Sequence, residues 1–175
     1  ASHATGVAGN IANSHLDHYA ASYKIPELYS AGGSGDVTAP INWDLGITAG
    51  IDFGNCSWWN GSKGSIVFLD RFFDYTIRTY SVMMFKSTGN QGSSGTPYTT
   101  TPGNGYNMTN TGNYNDANNF DWSDDFMTAS SSYWDPVEGH EKPEIASPGD
   151  CVATTTTSPL GITSCFGGTS SASPL

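Results

Sequence analysis

One segment near the middle of the chain constrains the fold more than any other. Its inward-facing side chains recur at i, i+3, i+4, i+7 and i+8, which predicts an amphipathic helix: they are Leu69, Phe72, Phe73, Thr76 and Ile77. The opposite side carries the charged residues Asp70, Arg71, Asp74 and Arg78. Residues 51–57 and 82–85, on either side of this helix, read as strands. A strand, a helix and a strand at this spacing predict a crossover between parallel strands.

Two further helices and one short strand are predicted around this unit. Residues 5–14 form a helix whose packing face is Val7, Ala8, Ile11 and Ala12. Residues 37–50 form another, with Ile41, Leu45 and Ala49 spaced four apart, and residues 27–31 read as a strand. Residues 91–134 are polar and loop-rich with one or two short strands, and residues 91–119 read as ordered surface loops. A chain of 175 residues supports one core, so we predict a single α/β unit.

The composition excludes two classes of partner. The formal net charge is −10, which repels phosphate backbones, so we expect no nucleic-acid partner. No apolar run approaches the roughly 20 residues that cross a bilayer, so we expect no membrane span. Charged residues make up only 13% of the chain. Together with the abundance of Thr, Ser and Asn, this low charge favours an extracellular or cell-surface setting.

Two of the three cysteines flank a Thr-rich segment that could turn back on itself. Cys151 and Cys165 could pair in a disulfide, or they could remain two unpaired thiols in strands. The sequence alone leaves both readings open. An extracellular setting favours the bond, because disulfides persist in oxidising compartments.

Four short segments carry side chains suited to acyl transfer, and their order along the chain matters more than any one of them. Residues 2–9 place His3 at the start of a helix, and residues 87–92 place Asn90 after a buried strand. Residues 142–149 are an extended segment that ends in a turn. Residues 167–174 place Ser170 after two glycines, where another helix should begin.

In this order the four segments resemble the motifs of the subtilisin-like serine peptidases (subtilases, peptidase family S8). Residues 168–174 are the most specific match, because seven positions fit the family pattern Gly-Thr-Ser-x-Ala-Ser-Pro. The resemblance covers nearly the whole chain. It implies a three-layer subtilisin-like α/β fold, with a mainly parallel central sheet and helices on both faces.

The resemblance also implies roles for individual residues. Ser170 would be the nucleophile, and His3 the base that takes its proton during attack. Asn90 would donate a side-chain hydrogen bond to the developing oxyanion, beside the backbone N–H of Ser170. The strand at residues 51–57 and the loop after it would form a wall of the substrate cleft, so substrate-binding candidates are Ser57, Trp58 and Trp59. Aromatic residues after a strand are also common in protein cores, which is the alternative for both tryptophans.

No cofactor is required by this chemistry. A structural calcium ion is compatible with the resemblance, and the acidic residues that could bind it are Asp116, Asp121, Asp124 and Asp125. Their spacing fits no known ligand pattern. A solvated acidic loop is therefore the preferred interpretation, and we predict no metal site.

The chain departs from the family pattern in one important respect. The family's catalytic Asp lies on a strand upstream of the His, whereas only Ala1 and Ser2 precede His3. We therefore expect residues 1–175 to be a partial domain without its Asp-bearing N-terminal part and its C-terminal helices, and we expect the remaining part to be a partner. Smaller departures are Ala4, Gly6, Ser87, Thr88, Ser147 and Trp59, the last of which could narrow the cleft.

Two functions from different classes follow. The first is a serine endopeptidase that cleaves polypeptide substrates through an acyl-enzyme on Ser170, with the Asp supplied from outside this chain. The alternative is a catalytically inactive subtilisin-like domain with a binding, filament or surface-assembly role. An esterase of the nucleophile-elbow kind is a weaker third, because Gly-x-Ser-x-Gly is absent from the sequence.

Overall fold

The computed structural model describes residues 2–16, 37–135, 137, 141–157 and 160–175. Its helices are α1 (Ser2–Leu16), α2 (Thr38–Thr48), α3 (Phe68–Tyr80) and α4 (Thr169–Ala172), with a 3₁₀ helix at Trp122–Asp124. Its strands are β1 (Phe53–Cys56), β2 (Met83–Ser87), β3 (Thr109–Asn115), β4 (Phe126–Met127), β5 (Ile145–Pro148), β6 (Val152–Thr157) and β7 (Leu160–Phe166). The helices predicted at residues 5–14, 37–50 and 69–78 are present. The strand predicted at residues 27–31 lies outside the described residues.

The central sheet is mainly parallel, as the strand–helix–strand spacing predicts. β1 pairs in parallel with β2, with Cys56 opposite Lys86, and β2 pairs in parallel with β3. β5 also pairs with β3 in parallel, and the two-residue β4 pairs with β3 in antiparallel orientation. The carboxyl ends of parallel strands meet at one edge of a sheet, and ligands bind there in open α/β folds.

An apolar core lies between α2, α3 and the sheet. Leu69 and Phe73 of α3 are buried against Met84 of β2, and the Trp43 and Phe73 rings meet edge to face with centroids 5.5 Å apart. The predicted periodicity of α3 is therefore correct for its apolar side. α3 ends at Ser81, which adopts the left-handed conformation that closes many helices.

The buried face of α2 differs from the predicted one. Ile41 and Leu45 are 54% and 51% exposed, whereas Trp43 is buried. The reason lies in β1, where Gly54 has no side chain and the Trp43 ring occupies the space that a Cβ there would need. One large ring fitting over a glycine thus decides which side of α2 faces the sheet.

A second buried region is polar, and we call it the polar cluster. Its members are each at most 1% exposed: Asp70, Lys86, Thr99, Thr100, Thr101 and Asn104. Two predictions are wrong here, because Asp70 is not on an exposed helix side and residues 99–104 are not surface loops. The Asp70 carboxylate accepts hydrogen bonds from the Val67 N–H (2.9 Å), the Thr101 hydroxyl (3.1 Å) and the Asn104 N–H (2.9 Å), so its burial is compensated.

The C-terminal part forms a hairpin against the first helix. β6 and β7 are antiparallel, and a disulfide joins Cys151 and Cys165 at their open end. α1 packs on β6, where the Thr154 hydroxyl donates to the Gly6 carbonyl at 2.7 Å. Within the described ranges, no helix combines the length and apolar character needed to cross a bilayer.

Candidate active site

His3 lies in the first turn of α1 and is exposed. Its ring meets Phe166 of β7 edge to face, with centroids 5.7 Å apart. Gly6, one turn further along α1, leaves room for the same phenyl ring, since a Cβ there would lie 3.1 Å from it. The hairpin therefore holds the start of α1 and the imidazole in place.

Asn10 connects α1 to the other end of the chain. It has no exposed surface, and its amide group donates to the Ser171 carbonyl at 3.1 Å and to the Ser171 hydroxyl at 2.9 Å. These two bonds span 161 residues of sequence and fix α1 against α4. We did not predict this role. The one signal for it was a polar residue beside the apolar face of α1.

Ser170 lies in the first turn of α4, directly after a glycine turn. Gly168 has φ +89°, a conformation that favours glycine. The Ser170 hydroxyl lies 3.4 Å from the Ser57 carbonyl, and the Ser57 hydroxyl donates to the Ser170 carbonyl at 3.0 Å. Near the start of α4, the Ser170 N–H has no partner within its helix and is free to serve as a donor.

Asn90 is oriented by Thr169. Its side-chain oxygen accepts from the Thr169 N–H and from the Thr169 hydroxyl, both at 3.0 Å. Since both bonds use the oxygen, the amide nitrogen remains as a donor. Gly89 sets the turn before it with φ +118°, and a Cβ on Gly89 would lie 2.7 Å from the Thr100 methyl group. A glycine is therefore required for Asn90 to reach this position.

These three side chains line a single cavity of about 370 Å³, although they come from both ends and the middle of the chain. The other substrate-binding candidates, Ser57, Trp58 and Trp59, line it as well. Trp58 also packs on Phe73 with centroids 6.4 Å apart and so belongs to both cavity and core, whereas Trp59 is 44% exposed. All six residues predicted from the sequence thus come together.

Two elements of a complete triad are missing from this arrangement. His3 and Ser170, both described, share no hydrogen bond, because the hydroxyl faces Ser57. In unliganded enzymes catalytic hydrogen bonds are often long and tighten only with substrate. Among the described residues that line the cavity there is also no carboxylate.

Sequence reasoning missed the most unusual residue of the cavity, Lys86. It lies in β2, has no exposed surface and lines the cavity together with Ser87 and Thr100. Burial lowers the pKa of Lys86 to about 7, against the opposing effects of Cys56 and Asp70. Burial also raises the pKa of the Cys56 thiol to about 12, so that this neighbour is neutral. A charged residue directly after the buried strand predicted at residues 82–85 was the available signal.

The acidic loop bonds mainly to itself. The carboxylates of Asp116, Asp121 and Asp124 accept hydrogen bonds from Asn118, Ser123 and Asn119. Partial desolvation, followed by the neighbouring carboxylates, raises the pKa of Asp125. The described ranges contain no group of three or more His, Cys, Asp or Glu residues that could hold a metal ion.

A comparison with protein families matches residues 1–175 to the subtilase family, peptidase S8. The chain belongs to the subtilase family. A comparison with curated proteins gives no match.

Among solved structures, a psychrophilic S41 protease is 20% identical with a TM-score of 0.67, over 99% of this chain and 60% of that one. The S218A mutant of the PatA protease domain is 17% identical with a TM-score of 0.63, over 79% of this chain and 46% of that one.

A third structure, the prenylagaramide maturation protease PagA, is 15% identical with a TM-score of 0.62, over 85% of this chain and 48% of that one. At these identities the likeness concerns the fold, and it agrees with the subtilisin-like architecture predicted from the motifs. This subtilase chain spans roughly half the length of the solved proteases that it matches.

Proposed function

We propose that this chain supplies the base, the nucleophile and an oxyanion donor of a subtilisin-like serine endopeptidase. One observation carries the proposal: His3, Asn90 and Ser170 line the same cavity although they are far apart in sequence. Membership of the subtilase family supports it, because the family works through acyl transfer on a serine. A polypeptide is accordingly the substrate class.

In the proposed reaction, Ser170 attacks the scissile carbonyl while His3 takes the hydroxyl proton. The negative charge on the carbonyl oxygen is stabilised by the Asn90 amide and the Ser170 N–H. His3 then gives its proton to the leaving amine, and water hydrolyses the acyl-enzyme by the same steps in reverse order. The hydroxyl must first rotate away from the Ser57 carbonyl, which is a change of one side-chain torsion.

We assign the carboxylate that orients His3 to an Asp outside this chain, in the remaining part of the same domain. The cavity has no carboxylate among its described residues, and the chain covers only part of its structural relatives. No cofactor takes part in the proposed steps.

The test is covalent labelling of the full-length protein with a fluorophosphonate probe. We expect the probe on Ser170, identified by peptide mass spectrometry, and no labelling of the Ser170→Ala variant. Ser93→Ala is the matched control, because this exposed serine bonds to Ala129 away from the cavity and its loss should leave labelling intact. Absence of probe on a correctly folded protein that also hydrolyses no peptide would contradict the proposal.

That same outcome would favour the second candidate, a catalytically inactive domain used for binding or assembly. Its specific support is the Ser170 hydroxyl, which faces the Ser57 carbonyl and not His3. The exposed Trp59 at the cavity would then be a contact for a bound peptide.

An extracellular or cell-surface location is part of the proposal. It rests on the disulfide between Cys151 and Cys165 and on the low fraction of charged residues. Peptide mapping of the native protein without reductant should recover these two cysteines cross-linked. Their recovery as free thiols would contradict an oxidising location.

A further inference from the structure

Lys86 lies in the wall of the cavity, and none of the described residues gives it a counter-charge. Its ammonium group donates to the Ser87 carbonyl, to the Thr100 hydroxyl at 3.1 Å and to the Ser87 hydroxyl at 3.3 Å, all of which are neutral. Lys142, which is also buried, forms an ion pair with Glu144. In the part of the chain that the structure describes, no carboxylate lies within ion-pair distance of Lys86.

The acidic groups that face Lys86 do not neutralise it. Cys56, its partner across the sheet, stays a thiol because burial raises its pKa to about 12. Asp70 on α3 acts on Lys86 from a distance, and its oxygens are already bonded to Val67, Thr101 and Asn104. An unpaired buried ammonium is costly, and such groups in a cavity are candidates for binding a ligand of opposite charge.

We propose that Lys86 makes this subtilase prefer substrates with Glu or Asp at P1, the residue whose carbonyl Ser170 attacks. The inference rests on the proposed peptidase function. Ser170 and Lys86 line one cavity of about 370 Å³, which is large enough for a side chain. The side chain nearest the attacked carbonyl is that of P1, so it is the one that enters a cavity shared with the nucleophile.

The walls of the cavity suit a carboxylate. Ser87 and Thr100 pack against the ammonium group, and their hydroxyls donate to the Cys56 and Thr88 carbonyls. An acidic side chain in the cavity would be attracted by the positive charge of Lys86, and either hydroxyl would bond to it by turning away from its carbonyl. A charge at the base of a specificity pocket selects side chains of opposite sign in serine peptidases generally. Hydrogen bonds that involve a charged group correspond to about 10- to 100-fold in preference.

The preference should depend on pH in a defined direction. Below about pH 7 Lys86 is charged, and a substrate Glu is ionised above about pH 4.3. The ratio of kcat/KM for Glu over Gln at P1 should therefore be largest between about pH 5 and about pH 7 and should fall above that range. His3 lines the same cavity and acts on both substrates in the same way, so its contribution cancels in the ratio.

The experiment measures kcat/KM of the full-length protein on peptides that differ only in Glu, Gln or Lys at P1. We expect Glu over Gln at about 10- to 100-fold near pH 6, with Lys the poorest. Lys86→Met, similar in shape but neutral, should bring the ratio close to one. Lys142→Met is the matched control, since it removes the paired buried lysine and should leave the ratio unchanged.

Three results would overturn the inference: no preference for Glu in the natural protein, an unchanged ratio in Lys86→Met, or an acidic preference on the leaving-group side of the bond. The pH profile of the natural protein keeps the test decisive if Lys86→Met does not fold, because a flat ratio from about pH 5 to about pH 9 also contradicts it. Fluorophosphonate labelling of Ser170 separates this failure from failure of the peptidase proposal. Labelling without acidic preference rejects only the inference about Lys86.

Discussion

α3 contributes to two interiors that differ in kind. Leu69 and Phe73 enter the apolar core, whereas Asp70, the residue next to Leu69, enters the polar cluster. Both regions are fully buried, but the first is held by packing and the second by hydrogen bonds between groups from distant parts of the chain. Residues of both regions line the cavity: Trp58 packs on the apolar core, whereas Lys86 and Thr100 belong to the polar cluster.

The difference teaches how this fold divides its tasks. Apolar contacts are nondirectional and tolerate adjustment, so the core around Phe73 can support the sheet without fixing single atoms. A hydrogen-bond network fixes donors and acceptors at defined positions. Within the polar cluster, the methyl group of Thr100 packs near Gly89, which forms the turn before Asn90. The hydroxyl of Thr100 accepts from Lys86, which supplies the positive charge in the cavity wall.

Lys86→Met should give the largest change in stability, and its size should depend on pH. The pKa of Lys86 falls from 10.5 to about 7 on folding, so the unfolded chain binds more protons than the native state between these values. The stability of the natural protein should therefore rise by about 1.4 kcal/mol per pH unit from about pH 7 to about pH 10, relative to Lys86→Met. Urea unfolding of both proteins at several pH values measures this difference. A difference that stays constant would mean that Lys86 is not buried as a free charge.

Phe73→Ala tests the apolar region. Removing a buried phenyl ring should lower the free energy of unfolding by about 3–5 kcal/mol at any pH, because the loss concerns burial and cavity formation. Phe68→Ala is the control on the same helix, since Phe68 is 56% exposed and its loss should cost less than about 1 kcal/mol. Equal losses for the two variants would show that the core does not lie where the structure places it.

The two interiors also differ in how far the sequence predicts them. The apolar side of α3 follows from periodicity alone, and β2 follows from a short apolar run, because those signals are local. The burial of Asp70 depends on Thr101 and Asn104, which lie more than a helix length away, and no local pattern contains that information. The prediction of the buried face of α2 was wrong for a similar reason, since that face depends on how Trp43 fits over Gly54.

The candidate site shows the same division. His3, Asn90 and Ser170 could be named because each lies in a contiguous motif of the family, and the structure brings them to one cavity. Their catalytic roles stay a prediction. Asn10 and Lys86 carry no motif, and their importance rests on contacts with Ser171 and Thr100 that only the folded chain creates.

Asp70→Asn tests the polar cluster, and we expect a smaller effect on the free energy of unfolding than for Phe73→Ala. The replacement keeps the shape but turns one acceptor oxygen into a donor that faces another donor, so we expect a loss of about 2 kcal/mol. Asp74→Asn is the matched control one turn along α3, where the carboxylate accepts from the Tyr106 and Asn107 N–H groups in an exposed setting. In thermal unfolding, the melting temperature of Asp70→Asn should be clearly lower than that of Asp74→Asn. The reverse order would mean that the polar cluster is less rigid than its bonds imply.

Thr100→Val should have the smallest effect on stability and the most local one. The valine keeps the methyl group that packs near Gly89 but loses the hydroxyl that accepts from Lys86 and donates to the Thr88 carbonyl. Because the Thr88 carbonyl keeps its bond from the Thr100 N–H at 3.0 Å, the expected loss is about 1 kcal/mol. The charged form of Lys86 loses a partner, so the rise in stability with pH should begin at a lower pH than in the natural protein. Thr48→Val, at an exposed threonine of α2, should change neither quantity measurably. If the pH dependence of the free energy of unfolding is the same in Thr100→Val as in the natural protein, the Thr100 hydroxyl does not stabilise the charged form of Lys86. The hydrogen bond between these two residues would then not link the polar cluster to the cavity.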